Sequence, residues 1–399
     1  MKNLDNYKLK QKKVLMRVDL NVPLVMGKII DRSRIETIKQ SIKILQNQKN
    51  KIFLLSHFSR PNGVRIKKYS LEFIIPILEE EFKSDKIFFL ENFDNDKIKN
   101  IIKKMKFGDI CLFDNIRFYP EEENNNLKFI KKISTNFDAY VNDAFSASHR
   151  KHASIVGPPK YLPALAGRSF LKEIKNINLF INNKKKPNLA IIGGSKVSTK
   201  IDLLNNLLKS FDFIFIGGAM ANTFLKVKKI DIGKSICEKQ LSKNVINIFE
   251  NAKKFNCEII LPLDAVCADN LKDNKNIRKC NIKDVYPNQM IFDVGEKTIK
   301  HISKYIKKSN MILWNGPLGA FEFKPFEKSS VNIANVIKKR SSLYNISVVA
   351  GGGDTISVIK LAKAETGFSY ISKAGGAFLE WLEDKGSPGF NALEKNTIN

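Results

Sequence analysis

Asn188-Leu189-Ala190-Ile191-Ile192-Gly193-Gly194-Ser195-Lys196 is an apolar run that stops at a glycine pair, and Ile201 to Lys209 beyond it is amphipathic. A run without alternation suits a strand buried on both faces, and a glycine turn into a helix suits a βα unit. The pattern repeats outward. Phe213–Ile216 ends at Gly217-Gly218-Ala219, Met311–Trp314 runs into Gly316-Pro317-Leu318-Gly319, and Ser347–Ala350 runs into Gly351-Gly352-Gly353-Asp354-Thr355, with Ile259–Leu261 a further apolar run. Upstream lie Val14–Val18, Ile52–Leu55, Ile110–Phe113 and Ala139–Val141. Amphipathic stretches such as Arg34 to Leu45, Leu71 to Phe82 and Ser329 to Lys338 separate the runs. The spacing predicts an α/β chain of two lobes, each a parallel β-sheet flanked by helices in Rossmann-like fashion.

Arg168 to Asn183 reads as a long helix, and Asn182-Asn183-Lys184-Lys185-Lys186-Pro187 as the breaker after it. The expected boundaries are an N-terminal domain over 1–168 and an interdomain helix over 169–186. A C-terminal domain over 187–375 and a last segment over 376–399, returning towards the first domain, complete the division.

The 399 residues are 43% hydrophobic and 27% charged, with 21 Gly and 13 Pro, which excludes disordered, collagen-like and disulfide-scaffold chains. No run reaches the ~18–20 apolar residues of a membrane span, and Met1-Lys2-Asn3-Leu4-Asp5 opens no signal peptide. Five cysteines without a C-x-x-C pair read as thiols of a reducing compartment, so the expected location is the cytoplasm, with no membrane partner. The net charge of +28 raises the question of a nucleic-acid partner. The lysines, however, are spread along the whole chain, as in Lys300-His301-Ile302-Ser303-Lys304, and no basic tail stands out. Arginine is distributed differently: eight of the ten precede residue 170. Guanidinium groups hold carboxylate and phosphate oxygens in a planar fork, so an anion site is expected in the first half.

Four strand ends in that half carry arginine: Arg17-Val18-Asp19-Leu20-Asn21-Val22-Pro23, Ser56-His57-Phe58-Ser59-Arg60-Pro61, Asp114-Asn115-Ile116-Arg117-Phe118 and Asp143 to Arg150. Parallel strands align their carboxyl ends, so these side chains are expected to converge on one rim and receive a small hydroxylated polyanion. In the second half, glycines at strand ends let backbone N–H groups approach phosphates. Lys196 and Lys200 would share one helix face if Lys196 opens the helix, giving a cationic pair beside the glycines. Solvated surface lysines are an equal alternative. Asp354 suits Mg²⁺ beside nucleotide phosphates, or a helix cap with Thr355. Glu322 suits ribose hydroxyls, or plain solvent. Neither a Walker A motif nor G-x-G-x-x-G occurs.

Together these blocks, in order from Val14 to Gly389, resemble the phosphoglycerate kinase family. The resemblance implies reversible phosphoryl transfer between ATP and the carboxylate of 3-phosphoglycerate, giving 1,3-bisphosphoglycerate and ADP. It implies a monomer that closes about a hinge, and Mg²⁺ with the nucleotide. By matching position it assigns Asp19 and Asn21 to the substrate hydroxyl and His57, Arg60, Arg117 and Arg150 to its phosphate. Leu20, Phe58 and Ser59 fall in the same substrate-binding blocks. Arg34 is assigned to the reacting carboxylate and, with Lys196 and Lys200, to catalysis. Both lysines are assigned to nucleotide phosphates. Gly217 and Gly218 are assigned to adenine, with Asn315 and Pro317 nearby, and Gly194 and Gly351 to Gly353 to the nucleotide loops. Glu322 is assigned to ribose, Asp354 to Mg²⁺ and Thr355 to a phosphate. Two positions depart from the family pattern. Lys373 replaces a hydroxyl in Ser372-Lys373-Ala374-Gly375-Gly376-Ala377, and Ser59 replaces a glycine. A basic nucleic-acid-binding protein and a non-catalytic phosphometabolite sensor are the rival readings.

Overall fold

The computed structural model describes residues 1–84, 86–181, 185–271, 276–383 and 386–398. The chain divides into two compact units, Met1–Asn176 with Gly386–Asn399, and Ile177–Lys385. The division runs through the helix Arg168–Ile181 rather than at either of its ends. Asn182, Asn183 and Lys184 of the expected breaker lie outside the described residues. Residues 376–385 group with the second unit, and only the segment from Gly386 groups with the first.

The first unit holds a six-stranded parallel sheet in the order Ile87–Leu90, Ile110–Phe113, Lys51–Leu55, Lys13–Arg17, Ala139–Asn142, Ala164–Ala166. Its central strands are buried along nearly their whole length, as their unbroken apolar runs require. The helix Ser33–Asn47 buries Ile35, Ile38, Ile42 and Leu45, a stripe at three- and four-residue spacing, which leaves Arg34 at its first turn half-exposed. Asp31 fixes the start of that helix by accepting from Ser33 N at 2.7 Å.

The second unit repeats the architecture with the order Glu258–Ile260, Phe213–Ile216, Asn188–Ile192, Met311–Asn315, Ser347–Gly351, Tyr370–Ser372, again all parallel. The order reverses between Asn188–Ile192 and Met311–Asn315, and open α/β sheets bind ligands in the crevice beyond such a switch point. Beyond the expected parallel sheet, the second unit contains a separate antiparallel sheet of Asp264–Ala268, Arg278–Asn281 and Met290–Val294. Among the described residues no helix is long and apolar enough to cross a membrane, and the five cysteines are unbridged.

The C-terminal helix Pro388–Glu394 belongs to the first unit. Ser387 Oγ donates to Ser148 O at 2.9 Å. Asn396 accepts from Ala164 N at 3.0 Å and donates to the carbonyls of Pro159 and Leu162 at 2.7 and 3.0 Å. It thereby satisfies one N–H of the edge strand Ala164–Ala166 and two carbonyls of the turn before it. Asn396→Ala is expected to lower the stability of the first unit by about 1–3 kcal/mol, read from its urea unfolding transition. An unchanged midpoint would show that water replaces these bonds at no cost.

Candidate active site

The arginine-bearing blocks of the first unit expected to bind the anion meet at the carboxyl ends of its strands. Asp19 follows the strand Lys13–Arg17 and is buried; its carboxylate accepts from the Arg34 guanidinium and from Ser146 Oγ, and from Asn21 N at 3.0 Å. Asn21 Oδ1 accepts from Ser59 N at 2.8 Å, and Leu20 N donates to Ser56 Oγ at 2.9 Å. Asn115 ties down the neighbouring loop, accepting from Phe58 N at 3.1 Å and donating to Phe58 O at 2.6 Å. Ser59 has φ +56, in the left-handed region that favours glycine. A serine there bears a modest strain that glycine would not.

The arginines do converge, though not all on a rim. Arg117 is buried, with Nη1 donating to Ser59 O at 2.8 Å and Nε 3.3 Å from Glu123. Burial, reinforced by the charges of Arg17 and Arg150, brings its pKa down to about 10. Arg34 is lowered by burial as well. Arg150 Nε donates to His149 Nε2 at 3.0 Å, and burial with the Arg150 charge brings His149 down to about 4. His57 is held well below the usual imidazole range by burial and by Arg17, Arg117 and Arg34. Arg60 is exposed beside Ser59. Arg17, expected on the same rim, turns its guanidinium inward and is 1% exposed. Three other arginines of this half have ordinary partners: Arg32 with Glu80, Arg65 with Asp114 and Arg168 with Asp5.

In the second unit the loops beyond the switch point touch through backbone alone. A Cβ on Gly193 would come within 2.0 Å of Pro317 O, one on Gly316 within 2.2 Å of Gly193 O, and one on Gly218 within 2.5 Å of Gly194 O. Glycine at these positions is a steric necessity. Thr355 Oγ1 accepts from Gly316 N at 2.7 Å and Ser330 Oγ from Leu318 N at 2.9 Å, so the loop from Gly316 to Gly319 is fixed from behind.

A cavity of about 320 Å³ opens against these loops. Gly194, Gly218, Pro317, Glu322 and Asp354 line it, with Leu225, Ile236, Ile282 and Met290 to Val294 as apolar wall. Gly217 is buried beneath, packed on Leu318 and Phe215. Most of the apolar wall went unmarked in the sequence because it belongs to the antiparallel sheet and its flanking loops. The run Met290-Ile291-Phe292-Asp293-Val294 was the available signal. Asp293 on that wall accepts from Ser329 N at 3.1 Å and from Ser329 Oγ, and burial raises its carboxyl to about 7.

The lysine pair differs from the expectation. The helix begins at Ile201, with Lys200 at its N-cap, so Lys196 lies in the preceding turn and shares no helix face with Lys200. Lys196 is exposed; Lys200 is half-buried, with Nζ donating to Asn315 Oδ1. Asn315 Nδ2 in turn donates to Gly351 O at 2.6 Å. Burial lowers Lys200 to about 8, against the opposing pull of Glu383 and Asp354. Gly352, with φ +98, starts the helix Gly353–Leu361, which has no side-chain cap, so its first N–H groups remain available to an anion. Among the described residues no three His, Cys, Asp or Glu side chains gather to hold a metal by themselves. Asp354 is an exposed carboxylate at that helix start and on the cavity wall. One carboxylate fits Mg²⁺ that arrives on nucleotide phosphates, because Mg²⁺ keeps most of its water and phosphate ligands. Lys373 is exposed beyond the strand Tyr370–Ser372.

A family model described as "Phosphoglycerate kinase" matches residues 4–385. Curated relatives of that name include one from Sinorhizobium fredii, 43% identical over 384 residues (96% of each chain). Another, from Brucella abortus, is 41% identical over 394 residues (99% of each). Among solved structures, phosphoglycerate kinase from Coxiella burnetii aligns with TM-score 0.86 at 34% identity, covering 98% of both chains. That from Pyrococcus horikoshii aligns with TM-score 0.82 at 28% identity, covering 99% of this chain and 98% of the other.

The lowered pKa of Lys200 has a direct consequence. In the free protein the ammonium is fully charged below pH 7 and is lost as pH rises through about 8. A phosphate placed beside it would favour the charged form, so if a nucleotide binds there, binding between pH 8 and 9 is expected to take up a proton. Calorimetric titration of ADP in buffers of different ionisation heat reads that uptake. Its absence in this window would contradict the shift.

Proposed function

Because the chain belongs to the phosphoglycerate kinase family, we propose that it passes the γ-phosphoryl of ATP reversibly to the carboxylate of 3-phosphoglycerate, giving 1,3-bisphosphoglycerate and ADP, in glycolysis and gluconeogenesis. The observation that carries the substrate assignment is the electrostatic cluster at the strand ends of the first unit. Arg34 and Arg117 both act on His57, and Arg117 also feels Arg17 and Arg150. A cluster of mutually repelling cations suits a small polyanion.

Each residue has a role in this reading. His57, Arg60, Arg117 and Arg150 hold the phosphate of the acid, and Asp19 and Asn21 its hydroxyl. Arg34, resting on Asp19 in the free protein, grips the reacting carboxylate. In the second unit Gly217, Gly218, Pro317 and the apolar cavity hold adenine, and Glu322 the ribose. Lys196, Lys200, Thr355 and the N–H groups from Gly351 to Gly353 hold phosphates. Bound to the nucleotide and to Asp354, Mg²⁺ supplies charge neutralisation of the phosphates.

The acceptor carboxylate is already ionised near neutral pH, so the protein needs no general base. Its task is to bring two polyanions together, offset their repulsion and exclude water that would take the phosphoryl group. Arg34 and Lys200 place charge where the transferring group develops it. Closure about a hinge is the step this reading requires to join acid and nucleotide. The same reading makes the protein a cytoplasmic monomer with neither nucleic-acid nor membrane partner; its dispersed lysines and unbridged cysteines support this.

A coupled assay with ATP, Mg²⁺ and 3-phosphoglycerate tests the activity: ADP must form only when the acid is present. Ligand binding without turnover would favour the sensor reading. Arg34→Ala is expected to cost roughly 2–4 kcal/mol in kcat, on the precedent of other groups that stabilise transition-state charge. A near-normal kcat would remove Arg34 from the chemistry.

A further inference from the structure

Behind the arginine cluster lies a hydrogen-bonded chain that none of the roles above uses. Arg17 ends its strand, yet its Nε donates to Ser154 Oγ at 2.9 Å and its Nη1 to the Val18 carbonyl. Its Nη2 lies 3.1 Å from His57 Nδ1. Ser154 Oγ passes its own hydrogen to Glu122 Oε1 at 2.7 Å, and Ser154 N donates to Oε2 at 2.8 Å. Tyr140 fixes the same turn by donating to Ser154 O at 2.8 Å. Glu122 is fully buried, with His152 Nδ1 at 3.6 Å. Burial alone would raise the Glu122 carboxyl, but His152, Arg17 and Ser154 outweigh it and hold the group below its usual value. The interior of the unit thus contains a guanidinium with a carboxylate one hydroxyl away, and each polar partner is satisfied.

The chain has a direction. A guanidinium only donates, so the atom facing Arg17 Nη2 must offer a lone pair. That atom is His57 Nδ1, which therefore bears no hydrogen. The ring's remaining hydrogen sits on Nε2, for which the described residues provide no partner.

We propose that Arg17, braced by Ser154 and Glu122, is a positioning residue that locks His57 in the Nε2–H tautomer, so that His57 meets the substrate phosphate as a neutral hydrogen-bond donor and not as a cation. The proposal rests on the reading that His57 touches that phosphate. Burial, with Arg17, Arg117, Arg34 and the titratable His152 facing the ring, opposes protonation of His57. The positive charge for the phosphate then comes from arginines, while His57 adds a directional contact as a neutral donor. Glu122 explains how an arginine can be buried for this purpose, since an unpaired charge there would be costly.

Nitrogen-15 NMR of the full chain labelled at its four histidines tests this directly, with His57 assigned by loss of its signals in His57→Gln. The expected spectrum shows a neutral Nε2–H ring for His57 from pH 5.5 to 8, with Nε2 shifting when 3-phosphoglycerate is added. An Nδ1–H ring, or an imidazolium forming near pH 6.5, overturns the proposal. A locked ring whose Nε2 ignores 3-phosphoglycerate instead overturns the reading of His57 as a phosphate contact, and with it the substrate half of the proposal. In Arg17→Lys, KM for 3-phosphoglycerate is expected to rise about tenfold with little change in kcat, as for loss of one well-oriented bond to a charged group. His57 should also titrate or populate both tautomers in that variant. A ring still locked as Nε2–H in folded Arg17→Lys overturns the role of Arg17, and the wild-type spectrum decides the tautomer even if that variant does not fold.

Discussion

Cations gathered at one edge of a sheet repel one another, and the first unit is organised around containing that repulsion. Arg17, Arg34, Arg117 and Arg150 come together around His57 because parallel strands present all their carboxyl ends on one side. The cost is visible in Arg117, brought down to about 10, and in His57, held far below its normal range. Carboxylates offset part of it: Asp19 on Arg34, Glu123 on Arg117, and Glu122 near Arg17. What remains is a field that a bound polyanion would relieve. Stability given up in the free protein would then be recovered on binding, as expected of a site organised before its ligand arrives.

On the proposed function the second unit solves a different problem. A nucleotide needs a flat apolar slot for the base and close backbone donors for phosphates. The glycines at the switch point supply the second by having no side chain at contacts of 2.0 to 2.5 Å. Lys200 shows how the two demands interact. The burial that gives it a fixed partner in Asn315 also weakens its charge, which a neighbouring phosphate would restore. Each unit therefore holds its cationic groups partly desolvated, and the two do so with different chemistry, guanidinium in one and ammonium with backbone N–H in the other.

Much of this was legible in the sequence, for reasons that can be named. Asn188–Ile192, Phe213–Ile216 and Ile110–Phe113 fall where the runs predicted, because strands buried on both faces leave an unbroken apolar signature. The strand-end motifs were legible because glycine, arginine and aspartate there answer to backbone sterics and to ligand charge. Side-chain direction was not. Arg17 shares its motif with Asp19 but points inward, since its Nε, Nη1 and Nη2 all find partners there. Glu122 and Ser154 carried no local signal, because their roles arise only when distant segments pack. The helix start at Ile201 separated Lys196 from Lys200, a boundary that spacing alone could not fix. The antiparallel sheet was less legible: Met290–Val294 is an apolar run, but Arg278–Asn281 offers Cys280 as its one apolar side chain.

The proposed reaction requires each unit to hold its own anion at these strand ends. Hydrogen–deuterium exchange of the whole protein with 3-phosphoglycerate alone, and with MgADP alone, measures this most directly. The acid should protect amides of residues 19–22, 56–60, 115–118 and 144–150, and the nucleotide those of 193–196, 217–220, 316–320 and 352–356. Protection of the same segments by both ligands, or by the acid at the glycine loops, would contradict it.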